Sequence, residues 1–197
     1  MTTVYFVRHA QPNFANHDDL TRELTAKGMA DRLRVVDLLA GVPVDAVLSS
    51  PYRRAVDTVQ PLADARGLGI RTVADFRERR VDSCWIEDFD GFCRAQWADF
   101  DYKLTDGETL RQVQRRNMTA LEAVLVEFAG QTVVIGSHGT ALSTIINHYD
   151  PTFGHADFEK IRGLMPWVVR FTFEGMDCVG ICSYDVFQRT EERRQLK

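Results

Sequence analysis

The chain has 197 residues, of which 45% are hydrophobic and 26% charged. That size and balance suit one globular domain over residues 1–197 with a substantial core. A net charge of −4 excludes a broadly basic nucleic-acid-binding face, although a few local arginines can still reverse the potential inside a cleft. No apolar stretch approaches the roughly 20 residues a membrane span needs, and the first residues show no basic region followed by a long apolar run, so no signal peptide is expected. The expectation is a cytoplasmic protein with no membrane or nucleic-acid partner.

Taken in order, residues 3–7 read as a buried strand, apolar and rich in β-branched and aromatic side chains. Leu24-Thr25-Ala26-Lys27-Gly28 opens a helical pattern, with Met29, Leu33, Val36 and Leu39 at three- and four-residue spacing. Residues 45–48 form a short strand. Ser49-Ser50-Pro51 reads as a helix start with proline in the first turn, and residues 52–65 as the helix. Residues 70–73 form a third strand. The stretch 77–106 is irregular, aromatic and acidic. Residues 108–128 make a long helix, 132–135 an apolar strand and 138–148 another helix. Two late strands, 168–173 and 178–184, are joined at Glu174-Gly175-Met176-Asp177, and the charged tail from Thr190 is expected to fray. The alternation predicts an α/β fold: a three-layer α/β/α sandwich whose central sheet is mostly parallel, with one antiparallel edge strand.

The cysteines are Cys84, Cys93, Cys178 and Cys182. They form no metal-ligand spacing, so no metal site is expected. All four are expected to be free thiols. Cys178 and Cys182, four apart in one strand, are expected on the same face.

The chemistry gathers at strand ends. Arg8-His9-Ala10 directly follows the first strand, and in open α/β sheets ligands bind outside the carboxyl ends of strands. Arg53 and Arg54 fall in the first turn after the second strand, where a helix N-terminus favours phosphate and a guanidinium adds a bidentate fork. Adjacent residues point about 100° apart on a helix, so only one of them faces the cleft. Gly136-Ser137-His138-Gly139 follows the later apolar strand, and its glycines permit close backbone approach. Singly, each group has an ordinary reading as loop, solvated arginine or helix cap. Together they put Arg-His, Arg and His at three strand ends.

These residues resemble the histidine phosphatase superfamily, also called phosphoglycerate mutase-like. Arg8-His9-Ala10 is similar to its Arg-His-Gly or Arg-His-Ala signature. Leu24 to Gly28 is similar to its LTxxG segment, and Ser49 to Ala55 to SSPxxRA, which selects Arg54 over Arg53. Phe76-Arg77-Glu78, Gly107-Glu108-Thr109 and Ser137-His138-Gly139 follow in family order. The resemblance implies His9 as a nucleophile that becomes phosphohistidine. Arg8, Arg54, His138 and Gly139 hold the phosphoryl oxygens, and Glu78 serves as acid and then base. Asp82, Glu87 and Asp88 remain alternatives for the acid. The family's asparagine seven residues after the motif arginine is Ala15 here; Asn13 is the favoured substitute, ahead of Asn16. The implied activity is a phosphoric monoester hydrolase of histidine acid phosphatase type, needing no cofactor or metal and acting on a small phosphorylated substrate. A cofactor-dependent phosphoglycerate mutase and a non-catalytic phosphate-binding adaptor are the alternatives, and a homodimer stays open. Residues 81–106, with Phe89, Phe92 and Trp97 near helical spacing, read as a packed helix face or as a lid over the cleft.

Overall fold

The computed structural model describes residues 1–194 and 196. Seven strands are present among them: β1 (Thr2–Arg8), β2 (Ala46–Ser49), β3 (Ile70–Thr72), β4 (Thr132–Ser137), β5 (Trp167–Glu174), β6 (Asp177–Asp185) and β7 (Thr190–Arg194). The helices are α1 (Ala26–Asp31), α2 (Leu33–Leu38), α3 (Arg53–Arg66), α4 (Phe89–Ala98), α5 (Leu110–Glu127), α6 (Gly139–Tyr149) and α7 (His155–Ile161), with a 3-10 turn at Ala74–Phe76. The strands form one sheet in the order β3-β2-β4-β1-β5-β6-β7.

Side-chain alternation explains the three layers. On β1, Val4 and Phe6 face one core and Tyr5 and Val7 the other; on β4, Val133 and Ile135 oppose Val134 in the same way. The first core takes Leu121 of α5 and Leu142 and Ile145 of α6. The second takes Val35 and Leu39, beside Val59 and Leu62 of α3. A strand buried on both faces must be apolar at every position, which is why the central strands read as continuous hydrophobic runs.

The α/β class and the parallel core, β3-β2-β4-β1, match the sequence expectation. The antiparallel part is larger than one edge strand: β5 pairs antiparallel with β1, and β6 and β7 extend it. The described stretch 190–194 of the tail does not fray as expected, and residues 195 and 197 lie outside the described residues. Residues 190–194 pair with β6, and Arg194 contacts Asp150 at 2.9 Å and lies over the Phe153 ring. The pattern starting at Leu24 also splits in two at Arg32, leaving Met29 and Leu33 exposed while Val35 and Leu39 reach the core. Pro51 precedes α3, whose N-cap is Tyr52.

The four cysteines are free thiols, but Cys178 and Cys182 do not share a face. Thr172 pairs with Gly180 and Phe173 with Cys178, so Val179 is an extra residue in β6. Such a bulge reverses the alternation. Cys178 therefore packs with Phe173 and Ile181, whereas Cys182 lies beside Tyr184 and Arg170 on the other face. No helix among the described residues is long and apolar enough to cross a membrane.

Candidate active site

Sheet order determines the site. β2, β4 and β1 are neighbours and parallel, so Ser49, Ser137 and Arg8 end on one edge; Arg8 is level with Ser137, and Ser49 with Gly136. Two more backbone bonds extend the register past the strand ends, His9 N–H to the Ser137 carbonyl (3.1 Å) and Ser50 N–H to the Gly136 carbonyl (2.8 Å). β5 runs back along β1 with Trp167 opposite Arg8, so the loop from α7 to β5 arrives at the same edge.

His9 is 7% exposed. Its Nδ1 lies 2.8 Å from the Ala10 carbonyl oxygen. A carbonyl only accepts, so Nδ1 carries the proton and Nε2 keeps its lone pair. Burial, with the charges of Arg54 and Arg8, holds the imidazole well below its ordinary protonation range. A neutral imidazole with a free Nε2 is the form a nucleophile needs.

Arg8 is buried, and its Nη1 donates to the carbonyls of Ile161 (2.7 Å), Arg162 (3.0 Å) and Leu164 (3.3 Å). Burial pushes its pKa down to about 10, so it remains a cation near neutrality. Its buried Nε has no hydrogen-bond partner among the described residues. The guanidinium lies flat against Gly139: a Cβ there would sit 3.0 Å from Nε and 3.1 Å from the central carbon. A side chain at 139 would force the guanidinium to give way by a few tenths of an ångström.

Arg54 is 2% exposed and Arg53 is on the surface, paired with Asp57 at 3.3 Å, so α3 separates the two as helical geometry requires. Arg54 lies over the Tyr52 ring, which also packs edge-on against His138. The rings of His138 and His9 are 5.3 Å apart. His138 is fully buried and its Nε2 is 2.7 Å from Ser50 Oγ. Ser50 Oγ also accepts from Tyr52 N–H at 3.3 Å, and as a hydroxyl it either donates to His138 Nε2 or accepts a second bond from it, according to the imidazole tautomer. In the tautomer protonated at Nδ1, that buried atom, which has no hydrogen-bond partner among the described residues, is a donor to an anion. Burial and the Arg54 charge hold this ring neutral as well.

Glu78 lies at the N-terminus of α6, next to His138 and Gly139. Its Oε2 accepts from Thr140 N–H (3.0 Å) and its Oε1 from Ala141 N–H (3.1 Å) and Arg79 N–H (2.8 Å). Two of the other carboxylates are engaged in local bonds: Asp82 accepts from the Ser83 and Asp106 amides, and Asp88 caps α4 through Gly91 N–H; Glu87 is exposed. Asn13 is not directed at this cluster by any of its bonds. Its amide donates to Glu23 Oε1 (2.6 Å) and accepts from Ala15 N–H; Asn16 and Asn13 together push the Glu23 carboxyl down to about 2.

The sequence reading missed the group that holds Glu78. Arg116 of α5 donates through Nη1 to the carbonyls of Asp75 (2.7 Å) and Arg77 (2.8 Å) and through Nη2 to that of Glu78 (3.1 Å). Its Nε and Nη2 also grip Glu108. Glu108 in turn accepts from Arg77 and from Arg80 N–H. A Cβ at Gly107 would lie 2.2 Å from the Val81 carbonyl oxygen, which accounts for the glycine of that motif. Arg79 is 2% exposed and sits under α4, bonded to Gln96 Oε1 (2.7 Å) and placed over Phe89 and Phe92. Beside the site a cleft of 670 Å³ is lined by Asp19, Leu20, Tyr52, Arg77 and Arg80, among others.

A profile described as the histidine phosphatase superfamily (branch 1) matches residues 4–178. An uncharacterised Mycobacterium tuberculosis protein, Rv0525, is 30% identical over 159 residues, which is 73% of this chain and 76% of that one. A probable phosphoglycerate mutase, GpmB, from Salmonella arizonae is 27% identical over 184 residues, 86% of this chain and 79% of the relative. A phosphoserine phosphatase structure from Entamoeba histolytica superposes with a TM-score of 0.73 at 18% identity, covering 91% of this chain and 94% of the other.

Proposed function

The chain belongs to the histidine phosphatase superfamily, whose members are phosphatases and mutases, and on that footing we propose that it is a metal-independent phosphomonoesterase working through a phosphohistidine on His9. The observation that carries the reading is the Nδ1 bond of His9 to a carbonyl, which leaves Nε2 as a nucleophile beside Arg8, Arg54 and His138. In the first step the Nε2 lone pair forms a bond to phosphorus while the bond to the ester oxygen breaks. Glu78, protonated at the start, gives that oxygen its proton. In the second step the Glu78 carboxylate takes a proton from water, whose oxygen attacks phosphorus as the nitrogen–phosphorus bond breaks. Arg8, Arg54, His138 Nδ1 and the Gly139 N–H stabilise the charge on the phosphoryl oxygens in both steps. Residues 81–106 act as a lid: α4 is tied to the loop that Arg8 binds through Arg162–Asp90 at 2.6 Å, and Trp85 stacks on His17 of the opposite loop.

Hydrolysis of p-nitrophenyl phosphate at mildly acidic pH, undiminished by chelator, is the expected result. His9→Ala abolishes it, and radiolabelled phosphate is trapped on His9 of the wild type. Turnover that survives His9→Ala overturns the mechanism. A mutase is the second reading, favoured by the GpmB relative; a coupled assay with 3-phosphoglycerate and a bisphosphoglycerate primer distinguishes it. Phosphate binding without turnover on a broad panel would indicate an adaptor.

A further inference from the structure

Arg54, the cation assigned to the phosphoryl group, is not free. Its Nη1 donates to the Asp19 carbonyl (2.6 Å) and its Nη2 to Asp19 Oδ1 (3.1 Å). The same Oδ1 lies 3.2 Å from Nη1 of Arg22, so one carboxylate oxygen bridges two guanidinium groups. Arg22 is itself largely buried, with 13% of its side chain exposed, and its Nε is fixed by the Asn16 carbonyl at 2.6 Å. Its charge reaches both His9 and Arg54, lowering the pKa of each. No family motif led to this arginine.

We propose that the Asp19 carboxylate is an internal stand-in for the phosphoryl group, and that substrate displaces it and is then held by Arg22 as well as Arg54. The inference rests on the phosphatase reading of the site. Three features favour exchange. The Asp19 side chain is 45% exposed whereas that of Arg54 is 3% exposed, so the departing carboxylate returns to water while the incoming phosphoryl group keeps the buried guanidinium paired. The incoming group is stronger, carrying about −1.5 to −2 charge and three acceptor oxygens against one charge and one bridging oxygen. The loop also does not depend on the carboxylate. Arg54 still holds the Asp19 carbonyl, Arg53 N–H donates to the Leu20 carbonyl (3.0 Å), and Asp18 Oδ1 accepts from Leu20 N–H (2.8 Å). Asp19 also lines the open cleft, so its side chain has solvent to turn into.

Calorimetric titration of the whole protein with inorganic phosphate tests this without relying on turnover. Asp19→Asn is expected to bind phosphate up to about fivefold more tightly, because the competing carboxylate charge is gone. Asp19→Ala shifts affinity in the same direction. Arg22→Met is expected to bind about 10-fold more weakly, as loss of a charge-assisted hydrogen bond implies. Unchanged or weaker binding in both Asp19 variants, with melting temperature retained, makes Asp19 a permanent partner of Arg54 and overturns the proposal; unchanged binding in Arg22→Met removes Arg22 from the pocket. If wild type neither binds phosphate nor hydrolyses esters, the phosphatase reading falls as well. If turnover needs His9 but Asp19→Asn binds no more tightly, this inference falls alone.

Discussion

The two sides of the candidate active site are held in place by different means. His9, Arg8 and His138 stand at the ends of β1 and β4, and backbone register places them: Arg8 is level with Ser137, and His9 N–H bonds the Ser137 carbonyl. Glu78 stands on an irregular loop between β3 and α4, and side chains place it. Arg116 binds three carbonyls of that loop, and Glu108 joins Arg116, Arg77 and the Arg80 amide. Sheet register is shared by many backbone bonds, so no single side chain sets it. A loop pinned by one guanidinium depends on that guanidinium.

The contrast can be broken most sharply at Glu78. Glu78→Gln should lower kcat/KM for alkyl phosphates by roughly 10²- to 10⁴-fold, the usual range for a general acid. It should do much less to p-nitrophenyl phosphate, whose leaving group needs no proton. Steady-state kinetics on both esters decides it, and equal losses would remove Glu78 from the acid role. On the strand side, Arg54→Met should cost about 10²- to 10³-fold on every ester, because charge stabilisation is independent of the leaving group. A loss confined to alkyl esters would contradict that assignment.

Arg116→Met should imitate Glu78→Gln in milder form, about 10- to 100-fold on alkyl esters, since a displacement near 1 Å can cost 10²-fold. Arg116→Lys should not rescue it, because an ammonium cannot reproduce the fork that spans three carbonyls. The ratio of rates on the two esters is independent of how much protein is folded, so an unchanged ratio would reduce Arg116 to a purely structural residue.

The smallest effect concerns pH and stability. His9 and His138 are both held neutral in the folded state, by burial first and then by Arg54, and their pKa values lie well below 6.5. In the unfolded chain both take up protons near 6.5. Stability is therefore fully present above about pH 6.5 and declines as pH falls below it, because the unfolded state binds protons that the folded state refuses. Each histidine adds up to about 1.4 kcal/mol per pH unit to that slope. Denaturant midpoints at pH 7.5, 6.5 and 5.5 should show a shallower decline for His138→Asn than for wild type; parallel declines would mean that His138 is protonated in the native protein.

By itself the sequence determined the parallel half of the fold and the pocket built on it. Continuous apolar runs mark strands buried on both faces, and residues directly after such strands must meet at the sheet edge. That was enough to bring together Arg8, His9, Arg54 and His138. The antiparallel side was harder to read, because the strand 190–194 is Thr-Glu-Glu-Arg-Arg, an exposed edge with no apolar signal. The bulge at Val179, which sends Cys178 and Cys182 to opposite faces, has only the neighbouring Gly180 as a local signature. Tertiary structure alone decided what the loops do. Asn13 is committed to Glu23, Arg116 reaches 38 residues back along the chain to the Glu78 carbonyl, and Arg22 and Arg54 share Asp19. The reason is physical: periodicity records which face a residue buries, whereas the partner of a long charged side chain depends on where distant segments come to rest.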